Sequence, residues 1–207
     1  IQGHADLMVD LARASPEGLP GKLDQIRDKI ARNMARIRQI VDGLKIFSHG
    51  NSAGEALQKI DLREVVEESL ALTTSVCSQR DVRVKWAPPA RGSAVALGIK
   101  VQVEQVLVNL IGNAAHAVAP LPERWVEVRV EHGGGEARIR VIDSGRLTDP
   151  AVISKLMTPF FTTKSPGEGT GLGLSMSYRM LERMGGSLKF CEGAEHTEFL
   201  VTLPTAE

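Results

Sequence analysis

Charge of one sign is what this chain most plainly lacks: 25 basic residues stand against 25 acidic ones, for a formal net charge of +0. Such a balance offers no electrostatic footprint for nucleic acid or for an anionic membrane surface, so partners have to be recognised by shape or by local charge. Cysteine is scarce as well. Cys77 and Cys191 lie far apart without metal-ligand spacing, which reads as two structural thiols in a reducing compartment. No uninterrupted apolar run reaches about 18 residues, the length of a membrane span, and no signal peptide opens the chain. The expected setting is therefore soluble and cytoplasmic. With 43% hydrophobic residues among 207, there is material for one large domain or a domain with an appendage, and nothing suggests disorder. The chain opens at Ile1 inside a helical pattern and so reads as a piece of something longer.

Glycine, by contrast, is concentrated in one place. The run Thr162-Thr163-Lys164-Ser165-Pro166-Gly167-Glu168-Gly169-Thr170-Gly171-Leu172-Gly173-Leu174-Ser175 passes into an amphipathic helix. Glycines in such a loop admit positive φ and bring backbone N–H groups close to an anion, and the helix adds its positive dipole end. Phosphate is the expected ligand. Two common phosphate motifs are excluded: a P-loop needs Lys-Ser or Lys-Thr after the last glycine, and a dinucleotide fingerprint needs a glycine where Leu174 stands, with a strand immediately before.

Upstream, Leu23, Ile26, Ile30, Ile37, Ile40, Leu44 and Phe47 fall on alternating three- and four-residue steps, with Asn33 at the remaining seam position. This heptad seam predicts a long helix whose buried Asn sets register or oligomeric state. Ile1, His4, Met8 and Leu11 continue the stepping before residues 15–21, rich in Pro and Gly, break it. Two antiparallel helices over 1–50 are expected, and because a hairpin cannot bury its own seam, a dimeric four-helix bundle is the economical solution. A polar linker at 51–56 leads to a second domain over 57–207.

In that domain Asp61 and Glu64 read as a capping box before a helix to about residue 79, and residues 82–86 alternate like a strand. A helix is expected over 100–119, a β-hairpin around Gly133-Gly134-Gly135, a helix over 171–184, and strands over 187–191 and 198–203. The element order predicts an α+β fold in which helices cover one face of a mixed sheet. Residues 144–170 show little regular pattern and read as a lid or binding loop.

Asn109 and Asn113 sit one turn apart on one helix face, where each side chain can orient a phosphate or a metal's water and an amide oxygen can serve Mg²⁺, which takes few protein ligands. Asp143 ends a buried-looking strand and is followed by Ser144-Gly145. As an acceptor-only carboxylate it suits the exocyclic amine of adenine and repels the carbonyl of guanine; an Asp-Ser-Gly turn is the plainer alternative.

Asn109-Leu110-Ile111-Gly112-Asn113-Ala114, Asp143-Ser144-Gly145, Thr158-Pro159-Phe160-Phe161-Thr162-Thr163-Lys164 and Gly169-Thr170-Gly171-Leu172-Gly173-Leu174-Ser175 resemble, in order, the N, G1, F and G2 boxes of sensor histidine kinases. The segment 33–47 resembles the second helix of that family's dimerisation and phosphotransfer hairpin. The resemblance implies a two-layer α/β sandwich, the Bergerat ATP-binding fold, with ATP and Mg²⁺ as cofactors. It implies Asn113 as the Mg²⁺ ligand, Asn109 supporting the triphosphate, Asp143 with Gly145 at the adenine, and Phe161 and Lys164 in the lid region. Gly169, Thr170, Gly171, Leu172, Gly173 and Leu174 would supply phosphate-binding backbone. His116 falls where relatives place a phosphate-facing polar side chain, and Thr197 resembles a threonine near the adenine.

Hydrolytic relatives of the gyrase and mismatch-repair type carry a Glu at the place of Asn109, and an Asn cannot act as that base. The resemblance thus implies phosphoryl transfer from Mg-ATP to a histidine, and thence to an aspartate of a response-regulator receiver domain, in a homodimer joined through the hairpin. Two departures stand out. Leu147 replaces the second glycine of the G1 box, and none of the five histidines has the context of a phosphoacceptor, which the resemblance places before Ile1. The alternative expectation is a catalytically weakened nucleotide-binding scaffold.

Overall fold

The computed structural model describes residues 56–165 and 169–205, together with the helical positions Ile30 and Met34. By its backbone contacts the chain divides into two units, Ile1–Lys45 and Ile46–Glu207. The expected hairpin over 1–50 lies outside the described residues apart from Ile30 and Met34, whose side chains are exposed. Of the linker, only Ala56 is described.

The second unit opens with β1 (Gln58–Asp61), whose last residue caps α1 (Leu62–Ser78). The Asp61 carboxylate accepts from the Arg63 amide at 2.9 Å and, through its other oxygen, from the Gly92 amide at 2.8 Å. The cap is present, but it takes Arg63 rather than the Glu64 amide a capping box would use, and it ties the helix start to a distant loop. Leu62, Val65, Val66, Ser69, Thr73 and Cys77 form the buried stripe of α1. Its two buried hydroxyls are satisfied within the helix, Ser69 donating to Val65 O at 2.7 Å and Thr73 to Ser69 O at 2.9 Å.

Strand β2 (Arg83–Trp86) is followed by β3 (Val95–Gly98), which pairs antiparallel with β1 in a separate two-stranded sheet. Helix α2 (Lys100–Val118) buries Val103, Val106, Leu107, Leu110, Ile111, Ala114, Ala115 and Val118, a 3.6-residue stripe. The hairpin of β4 (Trp125–Gly133) and β5 (Glu136–Asp143) turns at Gly134 and Gly135, with φ of 67° and 79°. Two consecutive positive φ values suit the twist of a two-residue hairpin turn and favour glycine at both places. A one-turn α3 (Pro150–Ile153), capped by Asp149, interrupts the stretch expected to lack regular structure. Then come α4 (Gly173–Arg183), β6 (Ser187–Phe190) and β7 (Thr197–Pro204).

The main sheet has the order β2-β4-β5-β7-β6; β2 runs parallel to β4 and every other pair is antiparallel. Val126, Val128, Ala137, Ile139, Val141, Val201 and Leu203 point from it toward the helices and are buried. Leu107, Leu110, Ile111 and Leu181 meet them from α2 and α4, each buried leucine contributing roughly 2 kcal/mol. The opposite sheet face is ionic: Arg140 pairs with Glu131 at 3.1 Å and also with Glu198. The expected two-layer sandwich is the observed architecture.

Candidate functional site

The α2 stripe that buries Leu110 and Ile111 leaves Asn109 and Asn113 half-buried, beside α4 and the 158–165 loop. Asn109 donates through Nδ2 to Ser177 Oγ on α4 at 3.0 Å, and its Oδ1 accepts from Asn113 Nδ2 at 3.4 Å. That leaves Asn113 Oδ1 facing Lys164, whose ammonium donates to it at 2.9 Å. Ser177 is buried, and nothing in the sequence singled it out: a serine on an apolar helix face, 68 positions from its partner, carries only the weak signal of a polar atom where an apolar one is expected.

Sheet register builds the other half of the site. Asp143 and Thr197 are direct partners across β5 and β7, so residues 54 apart in sequence stand side by side at one end of the sheet. Asp143 is 3% exposed, and its Oδ1 accepts from the Gly145 amide at 2.8 Å, the plain Asp-Ser-Gly turn. Among the described residues Oδ2 accepts no hydrogen bond, so one oxygen holds the loop while the other remains for a ligand donor. Burial pushes the carboxyl up to about 6, against the opposing pull of the Gly145 N–H and nearby His196. Thr197 clamps the loop from the far side: its amide donates to Gly145 O at 2.8 Å and its Oγ1 accepts from the Leu147 amide at 3.0 Å. Leu147 has no positive φ, so the loop as folded does not require the glycine of the family pattern. A cavity of about 360 Å³ adjoins it, lined by Arg146, Leu147, Pro150, Ile153, Phe190 and Glu192 among others. Neither Asn109, Asn113, Asp143 nor Thr197 lines that cavity, so it neighbours the site without belonging to it.

The glycine run behaves differently from the simple expectation. Of Gly169, Gly171 and Gly173, only Gly171 has positive φ, +66°. What the others require is the absence of a side chain: a Cβ at Gly173 would lie 2.2 Å from Asn109 Oδ1, and one at Gly169 would lie 2.6 Å from Thr162 Oγ1. A Cβ at Gly171 would meet the backbone carbon of Phe160 at 2.3 Å. These glycines let α4 and its leading loop press against α2 and the 158–165 segment. The α4 N-terminus itself, behind Thr170 and Leu172, has no side-chain cap, and Leu174 is half-buried in its first turn. His116 is engaged elsewhere: Arg80 donates to its Nε2 at 2.8 Å, which places the ring proton on Nδ1. Phe161 is half-buried, with the Lys155 ammonium 6.0 Å from its ring centre.

This arrangement, an amide pair presenting one oxygen to a cation and a buried carboxylate with one open oxygen at a sheet end, is that of a nucleotide-binding sandwich. Residues 98–207 match the family of histidine kinase-, DNA gyrase B- and HSP90-like ATPases. Over 202 residues the chain is 35% identical to the two-component sensor PprA of Pseudomonas aeruginosa, covering 94% of this chain and 21% of that protein. The chain thus belongs to the histidine kinase-, DNA gyrase B- and HSP90-like ATPase family, in its sensor histidine kinase branch. Two solved structures share the fold. Full-length ShkA in complex with AMPPNP matches with TM-score 0.74 at 20% identity, over 91% of this chain and 39% of that one. Histidine kinase ThkA in complex with response regulator TrrA matches with TM-score 0.70 at 20% identity, over 98% and 56%.

Proposed function

We propose that this chain is the ATP-binding kinase core of a two-component sensor kinase. It would deliver the γ-phosphoryl group of Mg-ATP to a histidine outside the chain, and thence to an aspartate of a response-regulator receiver domain. The observation that carries the reading is the buried Asp143, with Oδ1 held by Gly145 and Oδ2 open to a donor such as the adenine amine. Asn109 and Asn113 present amides and no carboxylate, so the pair positions phosphates without activating water. ShkA is solved with an ATP analogue and ThkA with a response regulator, which supports the same ligand and partner classes here.

Asn113 Oδ1 already accepts from an ammonium group, so its chemistry suits a metal that keeps most of its waters. Bound there, Mg²⁺ would neutralise phosphate charge. The alternative, a weakened scaffold, rested on Leu147, and its backbone still makes the bond to Thr197 that holds the loop. We further propose a homodimer through the hairpin and a cytoplasmic setting. No helix among the described residues is long and apolar enough to cross a membrane.

Calorimetric titration with Mg-ATP, Mg-ADP and Mg-GTP tests the ligand. Binding of the two adenine nucleotides but not of GTP is expected, and no binding of ATP or ADP at millimolar concentration overturns the proposal. Negligible phosphate release is expected with the chain alone. Multiple turnover into free phosphate would point to an ATPase.

A further inference from the structure

The turn that aims Asp143 is tied to two segments outside the site described above, the loop 119–124 and the start of β4. In an antiparallel ladder a hydrogen-bonded pair exchanges two bonds, one each way. The rung beyond Val126 and Asp143 keeps one of them, the Ser144 amide donating to Trp125 O at 3.1 Å. The returning bond is different: the Trp125 amide donates to the Ser144 hydroxyl at 3.3 Å, and among the described residues it makes no bond to the Ser144 carbonyl. The side chain takes the carbonyl's place, so the ladder stops one residue after Asp143 and the chain can turn toward Gly145. The polarity of that hydroxyl is fixed from both ends, since its proton goes to Glu123 O at 2.7 Å, which only accepts, while the Trp125 N–H only donates.

The anchor is itself held. The Lys85 ammonium lies 3.8 Å from the centre of the Trp125 ring, and His196 meets the ring edge-on with centroids 4.8 Å apart. From this anchor the turn delivers the Gly145 amide to Asp143 Oδ1 at 2.8 Å. The bond to Glu123 also fixes the loop that carries Leu121. A Cβ on Gly145 would stand 2.8 Å from Asp143 Oδ1, 3.7 Å from Leu121 Cδ1 and 3.8 Å from Thr197 Oγ1, so these three side chains converge beside the turn.

We infer that Ser144 is a positioning residue for base recognition: its hydroxyl ends the β5 ladder at Asp143 and, through Glu123 and Trp125, fixes the direction of the carboxylate and the place of Leu121 next to it. The inference rests on the reading of Asp143 as acceptor of the adenine amine. It goes beyond that reading in assigning base selectivity to a side chain that bonds β4 and the 119–124 loop rather than the carboxylate.

The test is the ratio of affinities for ADP and inosine diphosphate, in which a carbonyl replaces the adenine amine, measured by calorimetry on the whole chain with Mg²⁺. Ser144→Ala is expected to reduce the preference for ADP roughly three- to tenfold, the worth of one hydrogen bond, with binding of inosine diphosphate little changed. Ser144→Thr keeps the hydroxyl and should keep the preference. If Ser144→Ala does not fold, Ser144→Cys, a weaker donor and acceptor at the same place, should show the same reduction in smaller degree. An unchanged preference, equal losses for both nucleotides, or the same reduction in Ser144→Thr as in Ser144→Ala would each overturn the inference.

Amide hydrogen exchange followed by NMR needs no nucleotide. The Gly145 amide is bonded to Asp143 and not to Ser144, yet it should exchange roughly three- to tenfold faster in Ser144→Ala, relative to amides of α2, and at the wild-type rate in Ser144→Thr. Unchanged Gly145 exchange in Ser144→Ala overturns the inference. If no form of the chain binds nucleotide, the function proposed above falls, and the exchange measurement still decides whether Ser144 holds the turn.

Discussion

Replacing Asp143 with Asn should strengthen the fold while removing the ligand. The carboxyl has an ordinary value of 3.8 when solvated and is pushed up to about 6 in the folded protein, burial being the largest cause. Between those values the folded state holds more protons than the unfolded one, so this group's contribution to stability falls as pH rises through the window and is fully lost above about 6. The difference of roughly two pKa units corresponds to about 3 kcal/mol of destabilisation at neutral pH. Asn has nearly the same shape, carries no charge, and keeps an oxygen for the Gly145 amide, which lies 2.8 Å from the carboxylate.

Asp143→Asn should therefore match the wild type in stability below about pH 4, gain on it between pH 4 and 6, and exceed it by up to about 3 kcal/mol at pH 7 to 8. For a chain of this size that is a rise of roughly 6–12 °C in Tm. The assay is urea unfolding of both proteins from pH 4 to pH 8, paired with calorimetric titration of Mg-ATP. Adenine binding should disappear in the variant, since Asn turns an NH₂ donor toward the amine. A variant less stable at neutral pH, or a difference that does not change with pH, would refute the account of a desolvated carboxylate. Unchanged ATP affinity would remove Asp143 from the site.

Gly173→Ala should cost about 1–3 kcal/mol, because its Cβ would lie 2.2 Å from Asn109 Oδ1 and the amide must yield; loss of Mg-nucleotide binding should accompany the drop in Tm. Thr197→Val keeps the shape but leaves the Leu147 amide without its acceptor, so urea unfolding should show a loss of about 1–2 kcal/mol together with weaker nucleotide binding. Phe160 has φ of 66° and is 67% exposed, so Phe160→Gly relieves a left-handed conformation at little loss of packing. A gain of about 0.5–1 kcal/mol is expected in thermal unfolding, and a net loss would show that the aromatic ring supports the loop.

Much of the framework was legible in the chain itself. Apolar stripes at helical spacing mark α1, α2 and α4, and alternation around Gly134 and Gly135 marks the β4–β5 hairpin, because both patterns report which side of a local element faces the core. The strands β1 and β3 were not read, since Gln58–Asp61 holds a single apolar residue and Val95–Gly98 no polar one, so neither alternates, and they exist by pairing with each other. The parallel pairing of β2 with β4 was equally hidden.

At the site, residue chemistry was readable where a group's own bonding capacity limits it. Asp143 is acceptor-only, Asn109 and Asn113 share a helix face, and Gly169, Gly171 and Gly173 admit a close approach of the backbone. Which atom opposes each of them was decided by tertiary structure. Sheet register sets Thr197 against Asp143, the crossing of α2 and α4 brings Ser177 to Asn109, and the same approach explains why residue 173 has no room for a Cβ. The resemblance put His116 where relatives carry a phosphate-facing side chain, an ordinary surface histidine being the plainer alternative, and the packing of α1 on α2 supplies Arg80 to its ring. A sequence records what each side chain can donate, accept or exclude, whereas its partner is chosen by pairings between distant residues, and local periodicity contains no record of those.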